Sequence, residues 1–433
     1  MIILISSLIT ILSIFLGKYL FGRFFNHISL YVIVWFPIIF LFQLRLIRYQ
    51  SIKTEVWIAI FLAFLSFVLG TLTIYTGWKL KYSDKMEINL SSVWFNNKGK
   101  ILKSIILIFG IIGLLAVIQN WMVLLNKFGT IQSVLLNASL VYRMRIERSI
   151  EGQIPYLFTF CYVSVFFAAI YSAYLNRISL LTFLPFLGVI LKEISQSARA
   201  GILNAFFLFI ATFLITRYFI HKDKKAISNR KIIVGFLFIM LIIFLSATLV
   251  RVTRVTNERF KGATTQLSAL EANAIVSPSI YLYFSGHIGT LNKAIFAEER
   301  SNLFAEKTLT MFYSTISKFD LVKRPKDYDK GYFIPTWINT GTFLREIYMD
   351  YGYLGILIIP FIIGVLCTLY WYKFFSSGSF FNLVILTHLY VIVGFSFVIF
   401  VVRLSTWVFP IVILLVTVWI IENKVINKNK YQL

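Results

Sequence analysis

The sequence predicts an all-α, polytopic transmembrane helical bundle of about 11–12 spans, with one large extracytoplasmic loop containing short helices. Three observations predict it. The chain is 59% hydrophobic and 14% charged, with a mean hydropathy of +0.81, well outside the range of soluble globular domains. Its apolar residues fall in blocks of about 16–23, the length that crosses a hydrocarbon core of roughly 30 Å at 1.5 Å per helical residue. The blocks then stop, from Arg251 to about Asp350, for one long polar stretch.

The spans read in order as 2–17, 27–47, 55–77, 102–124, 154–175, 178–194, 201–220 and 231–250, then 352–373, 380–402 and 405–421. Helices are required because an unpaired backbone group in lipid costs several kcal/mol. Segments of about ten residues with dyad alternation, the mark of a membrane β-barrel, are not seen. Three regions follow: an N-terminal transmembrane region over 1–250 with about eight spans, the loop over 251–350, and a C-terminal transmembrane region over 351–433. The last has about three spans and a cytoplasmic tail.

Orientation follows from basic residues in short loops. Lys79, Lys81, Lys85, Lys98 and Lys100 mark 78–101 as cytoplasmic, and Arg217, Lys222, Lys224, Lys225, Arg230 and Lys231 do the same for 217–231. Alternation places the long loop outside, together with 125–153 and the turn around Ser195–Arg199. The first span lacks a basic leader and a small-residue cleavage site, and is read as a retained helix. The setting expected is a bacterial cytoplasmic membrane, crossed many times. The net charge of +24 belongs to inside loops facing anionic lipid, so nucleic acid is set aside. Cys161 and Cys367 both fall inside spans, which argues against a disulfide or metal site.

Three stretches put guanidinium groups at the outer face. Lys192-Glu-Ile-Ser-Gln-Ser-Ala-Arg199 joins two spans, and on a continuous helix Lys192 and Arg199 would share a face. Arg251, Arg254 and Glu258 follow the i, i+3, i+7 pattern leaving the eighth span. Arg345-Glu-Ile-Tyr-Met-Asp350 enters the ninth. Arginine presents a planar fork that grips phosphate oxygens bidentately, which suits a lipid-borne diphosphate. Arginines at span ends are also ordinary interfacial anchors, and Arg403 is read that way. His287 falls in the outer loop, where a neutral imidazole can accept a proton; a packed histidine is the alternative. The loop carboxylates have no spacing that forces a catalytic pair. Asp327-Tyr-Asp329-Lys-Gly331 lacks the later ligands of a calcium loop, and no nucleotide or zinc motif occurs. No cofactor and no metal are expected. Tyr281, Tyr283, Tyr313, Tyr328, Tyr332 and Trp337 offer platforms for sugar rings or an interfacial belt.

This layout resembles the oligosaccharide repeat unit polymerases of O-antigen and capsule synthesis, the Wzy type. The segment Asn339-Thr-Gly-Thr-Phe-Leu-Arg345-Glu-Ile-Tyr-Met-Asp350-Tyr-Gly352-Tyr-Leu-Gly355 carries most of the likeness, being similar to the family's Asn/Thr stretch followed by a Tyr-x-Asp-aromatic-Gly turn into a span. Ser197-Ala-Arg199-Ala-Gly201 resembles a second family pattern. The likeness spans nearly the whole chain as topology and only these stretches as residues.

The resemblance implies a metal-independent glycosyltransferase. Its substrates would be a glycan on undecaprenyl diphosphate and an acceptor repeat unit on the same carrier. A chain-length regulator and a flippase would be its partners in the pathway. Arg199, Arg251 and Arg254, with Arg345 next, would bind the diphosphate, while His287, Asp350 and Glu258 are the candidate catalytic groups. Asp350 pairing with Arg345 and capping the ninth span is the alternative for that residue. A ligase with the same donor and a lipid-linked oligosaccharide flippase are the rival functions.

Overall fold

A computed structural model describes residues 1–81, 92–147, 149–152, 154, 156–196, 198, 200–221, 278–325, 331–334 and 337–430. The described chain is mostly helical. It divides into two compact units, each assembled from discontinuous stretches. The first takes 1–85, 258–369 and 392–404; the second takes 86–257, 370–391 and 405–433. Eight helices among the described residues are long and apolar enough to cross a membrane.

In the first unit, helix α1 (Ile2–Phe21) ends where Gly22 adopts φ 67° and its N–H closes on the Lys18 carbonyl, the left-handed cap that costs glycine nothing. Asn26 then caps α2 (His27–Leu44) by accepting from the Ser29 amide at 2.9 Å. The link 45–53 leads into α3 (Thr54–Lys81). Later in the chain come α10 (Pro278–Ser285), α11 (His287–Phe296) and α12 (Thr310–Ile316). A two-residue hairpin follows, β1 (Tyr332–Phe333) antiparallel to β2 (Trp337–Ile338), and then α13 (Phe343–Ser377).

The ninth predicted span begins at Gly352, and α13 is broken there. Gly352 holds φ 66°, ψ −152°, a region essentially closed to residues with a Cβ. The nine residues before the break are almost entirely buried, whereas Tyr353, Leu354, Leu357 and Ile358 beyond it are exposed and apolar. The membrane stretch of α13 packs on α3 without room for side chains. A Cβ on Gly70 would lie 2.1 Å from the Phe361 carbonyl oxygen, and one on Gly364 would lie 2.2 Å from that of Phe67. Small residues allow such close backbone approach between helices in lipid. Ser66 Oγ adds a hydrogen bond to the Leu357 carbonyl.

In the second unit, α4 (Ser92–Phe128) is interrupted over Asn96–Gly99. Short helices α5 (Ile131–Leu136) and α6 (Ala138–Glu147) follow it. The central element is α7 (Phe160–Tyr174), buried on every side from Cys161 to Ala173, as expected of a helix apolar all round. It packs against α4, α8 (Phe183–Ser195) and α9 (Ala200–Ile220). Cys161 sits where Gly113 and Gly188 leave space: a Cβ on either glycine would come within 2.5 or 2.6 Å of its Sγ. Both cysteines are buried and free.

Ten of the eleven predicted spans coincide with helices, and 231–250 lies outside the described residues. Two boundaries need correction. The helix over 178–194 is α8, of 13 residues behind a short 3-10 turn. The tenth span, expected to run to 402, is α14 (Phe380–Phe395). The chain from Ser396 to Leu404 leaves the helix because its polar groups have other partners: Ser396 gives its carbonyl to the Phe343 amide at 2.8 Å, and its hydroxyl accepts from Trp35 Nε1 at 2.8 Å. The last helix is α15 (Ser405–Lys430).

Candidate functional site

The described part of the long loop is seated on the link between α2 and α3, within the first unit. Ile47 joins Tyr281, Leu282, Ala294, Tyr332, Ile334 and Ile338 in one hydrophobic cluster. Polar contacts fix the same junction. The Leu46 amide donates to Tyr281 Oη at 3.2 Å. Asn292 accepts from the Lys53 amide at 3.1 Å and donates to the Ser51 carbonyl at 3.3 Å. The loop body and the 45–53 link therefore lie on one side of the helices.

Arg345 is the centre of this body. It stands in the first turn of α13 and is fully buried. Its guanidinium lies over the Tyr332 ring at 4.7 Å, and Tyr332 Oη donates to Glu299. Burial pushes the Tyr332 phenol well above its usual range; the Glu299 carboxylate adds to that shift, and the Arg345 charge opposes it. Gly341 makes the approach possible, since a Cβ there would meet Arg345 Cδ at 2.5 Å and Thr290 Oγ1 at 3.0 Å. Thr290 belongs to α11, whose first residue is His287. The structure thus brings Arg345 to the helix that carries His287.

His287 is buried, its ring set edge-on to Tyr283 and Phe397 at 5.6 and 6.0 Å. Asp350 faces elsewhere. Its Oδ1 accepts from Ser301 Oγ at 2.6 Å and the Lys307 amide at 3.0 Å, and its Oδ2 accepts from the Thr308 amide at 2.8 Å. These partners occupy the carboxylate, and Arg345 is not one of them. Glu306 tightens the same turn by accepting from the Asn302 amide at 3.1 Å and pairing with Lys307 at 3.3 Å. Asp350 therefore shapes the 301–308 segment.

Arg199, Arg251, Arg254 and Glu258 lie outside the described residues. The expected turn between two spans is found here, since α8 ends at Ser195 and α9 begins at Ala200. The break has a physical cause. Glu193, buried, accepts from the Gly201 amide at 2.8 Å and pairs with Lys192, so its carboxylate satisfies the first turn of α9 from outside the helix. Ser195 ties the other end, donating to the Lys192 carbonyl at 2.7 Å and accepting from Asn120 at 2.8 Å.

Two arrangements are not evident from the sequence. Arg403 forms a buried 2.8 Å ion pair with Glu346, whose other oxygen accepts from the Phe400 amide at 2.7 Å. Its signal is a charge at the end of an apolar block, which is also the signal of an anchor. Arg300 stacks on Tyr348 at 4.3 Å and donates to the Tyr348 carbonyl at 3.1 Å. No motif marks it.

An apolar groove among α1, α2 and α3, lined by Ser6, Thr10, Tyr31, Trp35 and Phe64, contains none of these residues. Among the described residues, no group of three or more His, Cys, Asp or Glu side chains is placed to hold a metal ion. Comparison with protein-family models, curated proteins and solved structures finds no match for the chain.

Proposed function

We propose that the chain polymerises lipid-linked oligosaccharide repeat units, moving the growing glycan from undecaprenyl diphosphate to the next carrier-linked unit at the outer face of the cytoplasmic membrane. The observation that carries this reading is the fold of Asn339–Gly355, the stretch most like the repeat unit polymerases. It places a buried arginine in a polar body seated on membrane helices, and it enters the span through a glycine-only break.

In this reaction the acceptor hydroxyl attacks the anomeric carbon of the donor. A C–O bond forms, the bond from that carbon to the diphosphate breaks, and undecaprenyl diphosphate leaves with the electron pair. The leaving group is already activated, so the protein's tasks are positioning and stabilising its growing negative charge. Arg199, Arg251 and Arg254 are assigned to the diphosphate, with Arg345 next. Glu258 is assigned the proton of the acceptor hydroxyl, since the His287 ring is enclosed by Tyr283 and Phe397. Asp350 is assigned to holding the loop rather than to proton transfer, because its oxygens are occupied by 301–308.

The test is deletion of the gene in its host, followed by gel separation of surface and lipid-linked glycans. A ladder that collapses to single repeat units, restored by wild type but not by equally expressed Arg199→Ala, supports the reading. Polymer accumulating on the carrier indicates a ligase. An unchanged ladder removes glycan polymerisation from consideration and favours transport of another cargo.

A further inference from the structure

The segment after Arg300 is polar in its setting and apolar on its surface. Phe304 is 76% exposed, Phe312 58%, Phe319 72% and Leu321 73%. Leu309, Phe312, Ile316 and Phe319 are spaced i, i+3, i+7 and i+10, along α12 and the 3-10 turn that extends it to Phe319. That spacing sets them on one stripe. In a stretch that contains no span, such a stripe calls for a partner.

The location of the stripe identifies that partner. Segment 301–308 is fastened to the last residues before the span: Ser301 N donates to the Met349 carbonyl at 2.9 Å, Asp350 accepts the Lys307 and Thr308 amides, and Thr308 Oγ1 lies 2.7 Å from Tyr351 Oη. Phe304 packs edge-on against Tyr351 at 5.6 Å, and Tyr313 Oη donates to the Phe304 carbonyl at 2.7 Å, bringing α12 to the same spot. The exposed apolar surface of α13 starts immediately beyond, at Tyr353 and Leu354. The stripe thus stands at the level where the protein's lipid-facing surface begins. Lys318, Lys323 and Arg324, all exposed, flank it against a single Asp320, a balance that suits anionic head-groups.

We infer that residues 304–321 form an interfacial element, with the Leu309–Phe312–Ile316–Phe319 stripe immersed in the head-group layer of the bilayer that α13 enters. The element clamps the loop body down onto the membrane surface, independently of the chemistry the loop performs.

The test uses the full chain carrying one introduced cysteine, Phe312→Cys, Phe319→Cys or, on the opposite face of the helix, Ser314→Cys, each spin-labelled and reconstituted into phosphatidylethanolamine/phosphatidylglycerol vesicles. Cys161 and Cys367 are buried, and unmodified protein serves as the labelling blank. Collision with oxygen reports lipid, and collision with a water-soluble nickel chelate reports water. Labels at 312 and 319 are expected to favour oxygen, with the ratio reversed at 314, and either stripe position suffices if the other variant fails to fold. Nickel-accessible labels at 312 and 319 would overturn the inference. Labels shielded from both reagents would also overturn it, in favour of a protein partner such as a second copy.

Discussion

Replacing Asp350 with Asn separates a loop-holding role from a proton-transfer role. The carboxylate accepts three hydrogen bonds, two of them from backbone amides of the 301–308 turn. Bonds to a charged acceptor contribute about 1.5–3 kcal/mol each, and an amide left without a partner costs about 1–3 kcal/mol. The amide side chain keeps one accepting oxygen and turns an N–H₂ toward a donor, so at least one backbone bond is lost and the others weaken. Asp350 is half-buried, so water recovers part of the loss, leaving a local cost of about 2–4 kcal/mol. At 1.4 kcal/mol per decade this corresponds to roughly 30- to 1,000-fold faster local opening. Hydrogen exchange read by mass spectrometry on peptides covering 301–316 measures it, with α7 as the unaffected reference. Exchange within about twofold of wild type would refute the loop-holding argument. Loss of polymer with exchange unchanged would return Asp350 to the chemistry.

Other perturbations test neighbouring features. Gly352→Ala places a Cβ in a glycine-only conformation and 3.3 Å from Arg300 Nη2, so destabilisation of about 1–3 kcal/mol is expected, read as a lower thermal midpoint. Glu346→Leu or Arg403→Met alone strands a buried charge and costs about 3–5 kcal/mol, whereas the two together recover part of it in a double-mutant cycle, the Phe400 amide still lacking its acceptor. Tyr332 binds its proton more tightly folded than unfolded, so its contribution is complete below the ordinary phenol value of 10.0 and is lost as pH climbs through the raised folded value. Protection of 278–338 is therefore expected to fall on the alkaline side of pH 10 in wild type. Tyr332→Phe is expected to weaken that alkaline fall, the remainder coming from the Tyr281 and Tyr49 phenols, which burial also raises.

The spans are legible because lipid imposes one strong rule: backbone groups must pair within the helix, and only a long apolar block permits it. Gly352 is legible for a related reason, since a turn residue stands where polar sequence meets apolar sequence. What escapes the sequence is pairwise and local. Nothing in the apolar run 380–402 signals that Ser396 gives its carbonyl and hydroxyl to Phe343 and Trp35, which ends the helix early. The turn at Ser195–Arg199 is legible, but Lys192 and Glu193 are adjacent, so periodicity cannot reveal that the acid reaches ahead to the Gly201 amide. The polar segment around His287 admits a solvent-side base as well as a packed ring. The fold encloses the ring with Tyr283 and Phe397, the latter 110 positions away in the chain. The stripe at 309–319 is hidden for a different reason: it is too short to register as a span, and the charges around it dominate the loop's composition.

The contact of α3 with α13 through Gly70 and Gly364 limits how this half of the molecule can move. With a carbonyl resting where each side chain would be, the two helices cannot slide or roll past one another without steric clash. The loop body is carried by this same pair, through the 45–53 link at one end and the turn before Gly352 at the other. Residues of α13 beyond Gly352 therefore act as a stationary post on which the loop body is held.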